Sequence, residues 1–386
     1  MWSWSDHFSP FTAGAESSGE LGFLVGSVRV PLPEDVERVV ALTTELARIP
    51  APTFEEGERG DVVAERFAVA GARVERDEVG NVLAWVGLPG DEPPAILSAH
   101  LDTVFARDVP LDVRREGDVT LHGPGVGDDT VAVAALIALA HELRDDPPPR
   151  PLLLTATVGE EGLGDLRGAK HLLAHVQARA FVAVEGHMLD ELQDGAIGSI
   201  RIRATYHGPG GHSWGDRGTP SAVHAALGRG AAALAAVPAG RHVNIGTVEG
   251  GTTVNAIAQE AALLIDLRDD DEQRLAATAR AVEKALSAVE PSITAEVEPI
   301  GHRPAGRSAP GDPLLQLVRD ARAELGLEPA REEASSTECN AAYAAGVPTT
   351  CIGLTHGADA HRPTERIALA PLADGLQLLR TVARRV

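Results

Sequence analysis

Apolar residues gather in four short runs that carry almost no charge: AILSA at 95–99, LLLTATV at 152–158, AFVAVE at 180–185 and TTCIGL at 349–354. A run of this length without polar alternation predicts a strand covered on both faces, which is the signature of a parallel sheet. Helical patterns lie between the runs, and two amphipathic ones between 33 and 72 flank the loop IPAPTFEEGERG. Strands that alternate with helices predict an α/β domain around a central, mostly parallel sheet.

The pattern changes between 197 and 301. SIRIRATYH alternates strictly, with Ile200, Ile202, Ala204 and Tyr206 on one face and Arg201, Arg203, Thr205 and His207 on the other, as a half-solvated strand should. A helix is expected from Pro220, at its first position behind Thr219 as N-cap, to about Ala236. Strands follow at 242–249 and 260–268, then a helix at 272–289 and a strand at 293–297. The order βαββαβ is that of a ferredoxin-like α+β sandwich. Because TTCIGL resumes the buried-strand pattern afterwards, the sandwich reads as an insertion. The expected organisation is an N-terminal extension at 1–31, a main α/β domain in two parts at 32–196 and 302–386, and the inserted domain at 197–301. The opening residues MWSWSDHFSPFTAG lack the basic and apolar segments of a signal peptide and are expected to be loosely ordered.

At 386 residues the chain is long enough for two domains, and 44% hydrophobic with 23% charged residues is a globular composition. No apolar run approaches the length of a membrane span, and the formal charge of −22 disfavours nucleic acid and anionic lipid as partners. Cys339 and Cys351 have neither zinc-knuckle nor C-x-x-C spacing. They read as reduced structural thiols of a cytoplasmic protein, with a disulfide between them as the alternative.

GHSWG at 211–215 fits G-x-S-x-G and makes Ser213 a candidate nucleophile, with Asp359 and His361 downstream in the right order for a triad. Its flanks argue against this, since an alternating strand, a Gly-Pro-Gly break and a glycine-rich exit do not build a strand-to-helix elbow. Chemistry-bearing side chains collect elsewhere, at the carboxyl ends of the four buried strands, where open α/β sheets place their ligands. These are His100 and Asp102 in HLDT, Glu160 and Glu161 in GEEG, Glu185, and His361 in THGADAH; GPGVGDDT adds Asp128 and Asp129 at the start of a helix. Singly each has an ordinary reading as helix cap, core histidine or solvated turn. Together they supply the nitrogen and oxygen donors of a zinc site, and one shared carboxylate could hold two ions about 3.5–4 Å apart.

HLDT, GPGVGDD, GEEGLG, Glu185 and AHRPTE, in this order and with a domain inserted after Glu185, resemble the dinuclear-zinc metallopeptidase family of glutamate carboxypeptidase, peptidase T, acetylornithine deacetylase and aminoacylase. The resemblance implies a zinc-exopeptidase-like fold and two zinc ions per subunit, with cobalt or manganese as substitutes. His100, Asp128 and Glu185 would bind one ion, and Asp128, Glu161 and His361 the other, Asp128 bridging. It makes Asp102 the carboxylate that orients His100, and Glu160 the general base acting on a metal-bridging water. YHGPGGHSWGDRG resembles the family's lid segment, so His212 would reach the active site of a partner subunit in a homodimer built through the inserted domain. Asn255 and Arg268 would bind the carboxylate or carbonyl of a small peptide or N-acyl amino acid. A salt bridge within the lid is the alternative role for Arg268, and a non-catalytic metal- or peptide-binding relative is the alternative for the whole chain. SSTECN carries Glu338 where many relatives carry Asp, and Glu185 instead of Asp favours carboxypeptidases and deacylases over aminopeptidases. His187, His207, His242 and His356 match no motif and read as surface or packing residues.

Overall fold

The computed structural model describes residues 32–87 and 92–386, so the expected N-terminal extension lies outside the described residues. The strands Leu152–Thr157, Ala95–His100, Ala180–Glu185 and Thr349–Gly353 lie side by side in that order, each parallel to its neighbour. They form the centre of a sheet that is nine-stranded among the described residues, and Val82–Val86 joins it antiparallel. Successive side chains point to opposite faces of a strand. Both faces here are covered: Leu97, Leu154 and Val182 enter one core, while Ile96, Leu153 and Phe181 enter another. Polar alternation is absent from these runs because neither face meets water.

The first core is filled mainly by the helix Val131–Asp145, which is buried almost all round between the sheet and the helix Glu34–Leu46. On the opposite face lie the helices Arg167–His175 and Cys339–Ala345. Cys339 and Cys351 are both buried there as free thiols, without a disulfide.

A second sheet of four antiparallel strands runs His242–Gly250, Glu260–Asp269, Gly198–His207, Thr294–Arg303. In chain order this is 2-3-1-4, the arrangement of a ferredoxin-like sandwich. The helices Ala222–Ala236 and Glu272–Leu286 cover one face over a separate core that includes Ile202, Tyr206, Leu263 and Ile265. Arg201, Asp266 and Arg268 stand on the uncovered face.

Two boundaries differ from the sequence reading. The first helix of this domain begins at Ala222, after Ser221 in extended conformation, and not at Pro220. The Ala222 N–H donates to the Ala258 carbonyl at 3.0 Å, which ties the preceding residues to a neighbouring segment before the helix can start. The last strand does not stop at 297 but continues to Arg303, absorbing Pro299 in an irregularity between Pro299 and Gly301. Arg303 pairs with Ser199, and Asn340 Nδ2 donates to the carbonyls of Ile197 and Pro304 at 2.8 and 3.0 Å, so one side chain ties the two crossovers together. Among the described residues no helix is long and apolar enough to cross a membrane.

Candidate metal centre and active site

Parallel strands end at the same edge, so this sheet delivers its terminal residues to one place. His100 ends one strand and Glu185 the next, the turn after Thr157 carries Glu160 and Glu161, and the segment after Gly353 brings in His361. The fifth contributor is the turn 125–130, which leads into the buried helix Val131–Asp145.

That turn is fixed by two buried carboxylates. Glu365 accepts from the backbone N–H groups of Gly125, Gly127 and Asp128 at 2.7, 2.8 and 2.8 Å, and its Oε1 lies 3.0 Å from His187 Nε2. Asp129 accepts from the N–H of Gly186 at 2.9 Å and of His100 at 3.2 Å. Asp129 is thereby turned inward, and Asp128 is left facing the cleft. The packing leaves no room for side chains, since a Cβ on Gly186 would fall 2.0 Å from the Gly127 carbonyl oxygen.

Asp128 presents one oxygen to each of two imidazoles. Its Oδ1 lies 3.0 Å from His100 Nε2 and its Oδ2 lies 2.9 Å from His361 Nε2. His361 Nε2 is also 3.3 Å from Glu161 Oε1. Donor atoms of His100, Asp128 and Glu185, and those of Asp128, Glu161 and His361, fall within 4.8 Å of one another in each group. Burial and the neighbouring Asp128 and Glu160 carboxylates push Glu161 up to about 7, against the opposing His361 contact. Glu185 is pushed well above the usual carboxylate range, first by burial and then by Asp128 and Glu160. Hydrogen bonds to Asp128 and Glu161 raise His361 to about 10. Glu161 and Glu185, raised by burial and by their carboxylate neighbours, sit in a negative field that a divalent cation would relieve.

Asp102 lies beneath the cluster, fully buried. Its Oδ1 accepts from the Glu160 N–H at 2.9 Å, and its Oδ2 from the Glu161 N–H at 3.0 Å and from Thr53 Oγ1 at 2.8 Å. His100 Nδ1 lies 3.0 Å from the Asp102 carbonyl oxygen and 3.7 Å from its carboxylate. Here the nearer contact of the imidazole is the backbone carbonyl, while the Asp102 carboxylate also fixes the two glutamates. Below the sheet edge, Glu338 accepts from Ser98 Oγ at 2.6 Å and from Thr157 Oγ1, and burial raises its carboxyl.

The cleft over the cluster, about 500 Å³, is walled on the side of the inserted domain by Arg201, Arg268 and Arg303. Asp266 anchors Arg268 through Nε at 2.8 Å, so the salt bridge within the lid and a position facing the cleft coexist in one residue. Arg303 donates through Nη1 to Glu160 Oε1 at 2.8 Å and through Nη2 to the Glu160 carbonyl.

Not every expected residue is gathered here. His212 and Asn255 do not line the cleft. They sit together on an exposed two-stranded ribbon of the inserted domain, formed by segments far apart in the sequence, where His212 pairs with Ala256 and its Nδ1 accepts from the N–H groups of Trp214 and Gly215 at 3.2 Å. The Ser213 N–H donates to the Asn255 carbonyl beside the same ribbon. With His361 Nε2 against carboxylates and Asp359 paired to Arg366, no Ser213 triad forms. His187, expected as a surface or packing residue, faces the cleft and holds Glu365. Sequence reasoning gave no role to Arg201, Arg303 or Glu365. Only Glu365 carried a signal, as the last letter of AHRPTE.

Imidazole nitrogens and carboxylate oxygens facing one another over a few ångströms are donors for a divalent cation. The chain is a metal-dependent hydrolase of C–N bonds. The family described as Peptidase family M20/M25/M40 matches residues 96–385, and the chain belongs to it. It is 24% identical over 371 residues to the uncharacterized protein YqjE of Bacillus subtilis, spanning 89% of this chain and 96% of that one. It is 26% identical over 362 residues to succinyl-diaminopimelate desuccinylase of Cereibacter sphaeroides, spanning 86% and 94%. The crystal structure of aminopeptidase PepT from Bacillus cereus superposes with a TM-score of 0.70 over 90% of this chain and 98% of that one, at 22% identity, a likeness of fold.

Proposed function

We propose that the chain hydrolyses the amide bond of a small peptide or an N-acyl amino acid. His100, Asp128 and Glu185 would hold one zinc ion and Asp128, Glu161 and His361 a second, with cobalt or manganese able to substitute. The carrying observation is that the two oxygens of Asp128 each face a different imidazole, at 3.0 and 2.9 Å, as a bridging carboxylate requires. When bound, such ions polarise the scissile carbonyl and lower the pKa of water.

The remaining work falls to the chain's own residues. Glu160, next to the ligand Glu161, takes the proton of the attacking water and passes it to the leaving nitrogen. Arg268, held by Asp266 through Nε, offers the rest of its guanidinium fork to a substrate carboxylate. His212 and Asn255 act from the lid of a second copy, His212 donating to the oxyanion that develops on the carbonyl. The exposed Trp214 and Val254 beside that ribbon support a homodimer formed through the inserted domain. The relative named a desuccinylase supports an acylated amino acid as one substrate type. Two buried free thiols support a cytoplasmic setting.

The test is a hydrolysis screen of dipeptides, tripeptides and N-acyl amino acids with zinc present, repeated after chelation and after adding zinc back. Turnover lost to the chelator and restored by the metal is expected. Metal and substrate binding without turnover would identify a non-catalytic binder, and activity that survives chelation but yields to a serine-directed reagent would return the chemistry to Ser213.

A further inference from the structure

Arg303 is the last residue of the last strand of the inserted domain, yet its guanidinium is buried in the catalytic domain. One nitrogen meets Glu160 Oε1 at 2.8 Å and lies 3.3 Å from Ser336 Oγ, and the other meets the Glu160 carbonyl. Both ends of one glutamate are thus held by one planar fork. Among the described residues Glu160 Oε2 makes no hydrogen bond. The same turn is gripped once more from the lid side, where Arg201 donates to the Gly162 carbonyl, and nearby Lys170 Nζ, in the helix Arg167–His175, donates to the His302 carbonyl of the lid strand at 2.8 Å.

We propose that Arg303 is the positioning residue for Glu160, fixing one carboxylate oxygen and the backbone so that the other oxygen is presented to the cleft, and that it thereby ties the base to the lid. The inference rests on the reading of Glu160 as the proton carrier. An ordinary glutamate at a turn has three side-chain torsions free to wander. A fork that pins the near oxygen and the carbonyl at once restricts all three, and neighbouring Glu161 receives no such contact, as befits a side chain that a metal would hold instead. Lysine could keep the charge but not the two-point grip.

The experiment is a double-mutant cycle on the zinc-loaded protein, with metal content and thermal stability measured for each variant. Arg303→Ala should lower kcat by about 10- to 100-fold, the scale of a misplaced catalytic group, with KM within about threefold and zinc retained. Arg303→Lys should recover part of the loss. In the Glu160→Gln background Arg303→Ala should cost nothing further, because its effect passes through the missing carboxylate. Equal losses in both backgrounds, or full activity of Arg303→Ala beside an active wild type, would overturn the proposal. A crystal structure of Arg303→Ala reads the position without turnover: the Glu160 carboxylate should leave its place while Glu161 keeps its own, and an unmoved Glu160 overturns the inference. If the wild type cleaves no amide, it is the hydrolase reading that fails, and that structure still decides the role of Arg303.

Discussion

Glu160 and Glu161 are neighbours in the chain, and each has its N–H bound to the same Asp102 carboxylate, yet their side chains meet different partners. One faces Arg303 and the other His361. Glu160→Gln is expected to lower turnover by about 10²–10⁴ with both metals retained, the usual worth of a positioned general base. Glu161→Gln should cost metal as well as rate, since an amide is a poorer ligand than a carboxylate. Elemental analysis beside steady-state kinetics separates the two, and full metal occupancy in Glu161→Gln would reverse the roles. Which residue types matter was legible in the chain because the strand-end positions are local. Choosing between Asp128 and Asp129 was not, because it depends on the N–H groups of His100 and Gly186, which the fold brings up from distant parts of the sequence. Arg303 was hidden for the same reason: nothing near it in the sequence announces Glu160.

At the level of elements, the turn that carries Asp128 owes its shape to Glu365 on the far side of the sequence. Glu365→Gln places an amide against three N–H donors and leaves at least one of them without an acceptor. Metal affinity should fall by about 10- to 100-fold, as for other groups that hold a ligand in place, and competition with a coloured chelator measures it. Unaltered affinity would show that Asp129 and the helix Val131–Asp145 hold the turn without Glu365. The strands of the central sheet were legible because burial on two faces writes an unbroken apolar run. The last lid strand was underestimated because proline removes a backbone donor and reads as a stop, whereas this edge strand passes Pro299 by shifting register. The start of the lid's first helix was misplaced because Pro220 suits a first helical position equally well when, as here, a neighbouring segment keeps the chain extended for two more residues.

For the whole molecule, the separation of His212 from the cluster around Asp128 bears on the proposed assembly. If His212 serves a second copy, His212→Ala should lose turnover by about 10²–10³ with zinc retained, the worth of one oxyanion donor. Mixing this variant with Glu160→Gln under subunit exchange should then restore activity, because a mixed dimer has one site with both groups intact. Demonstrated exchange without recovery would place His212 outside the chemistry. The paired entry and exit of the inserted domain, closed by Ser199 opposite Arg303 and buckled by Asn340, have a consequence for how such enzymes diversify. A segment that leaves and re-enters a fold at one point can be exchanged as a cassette without shifting the register of the sheet beneath it. Arg201, His212, Arg268 and Arg303 all travel inside that cassette. If these residues act as proposed, grafting it between relatives would move substrate preference and subunit pairing in one step, while the proposed metal ligands, all left behind in the host, would stay unchanged.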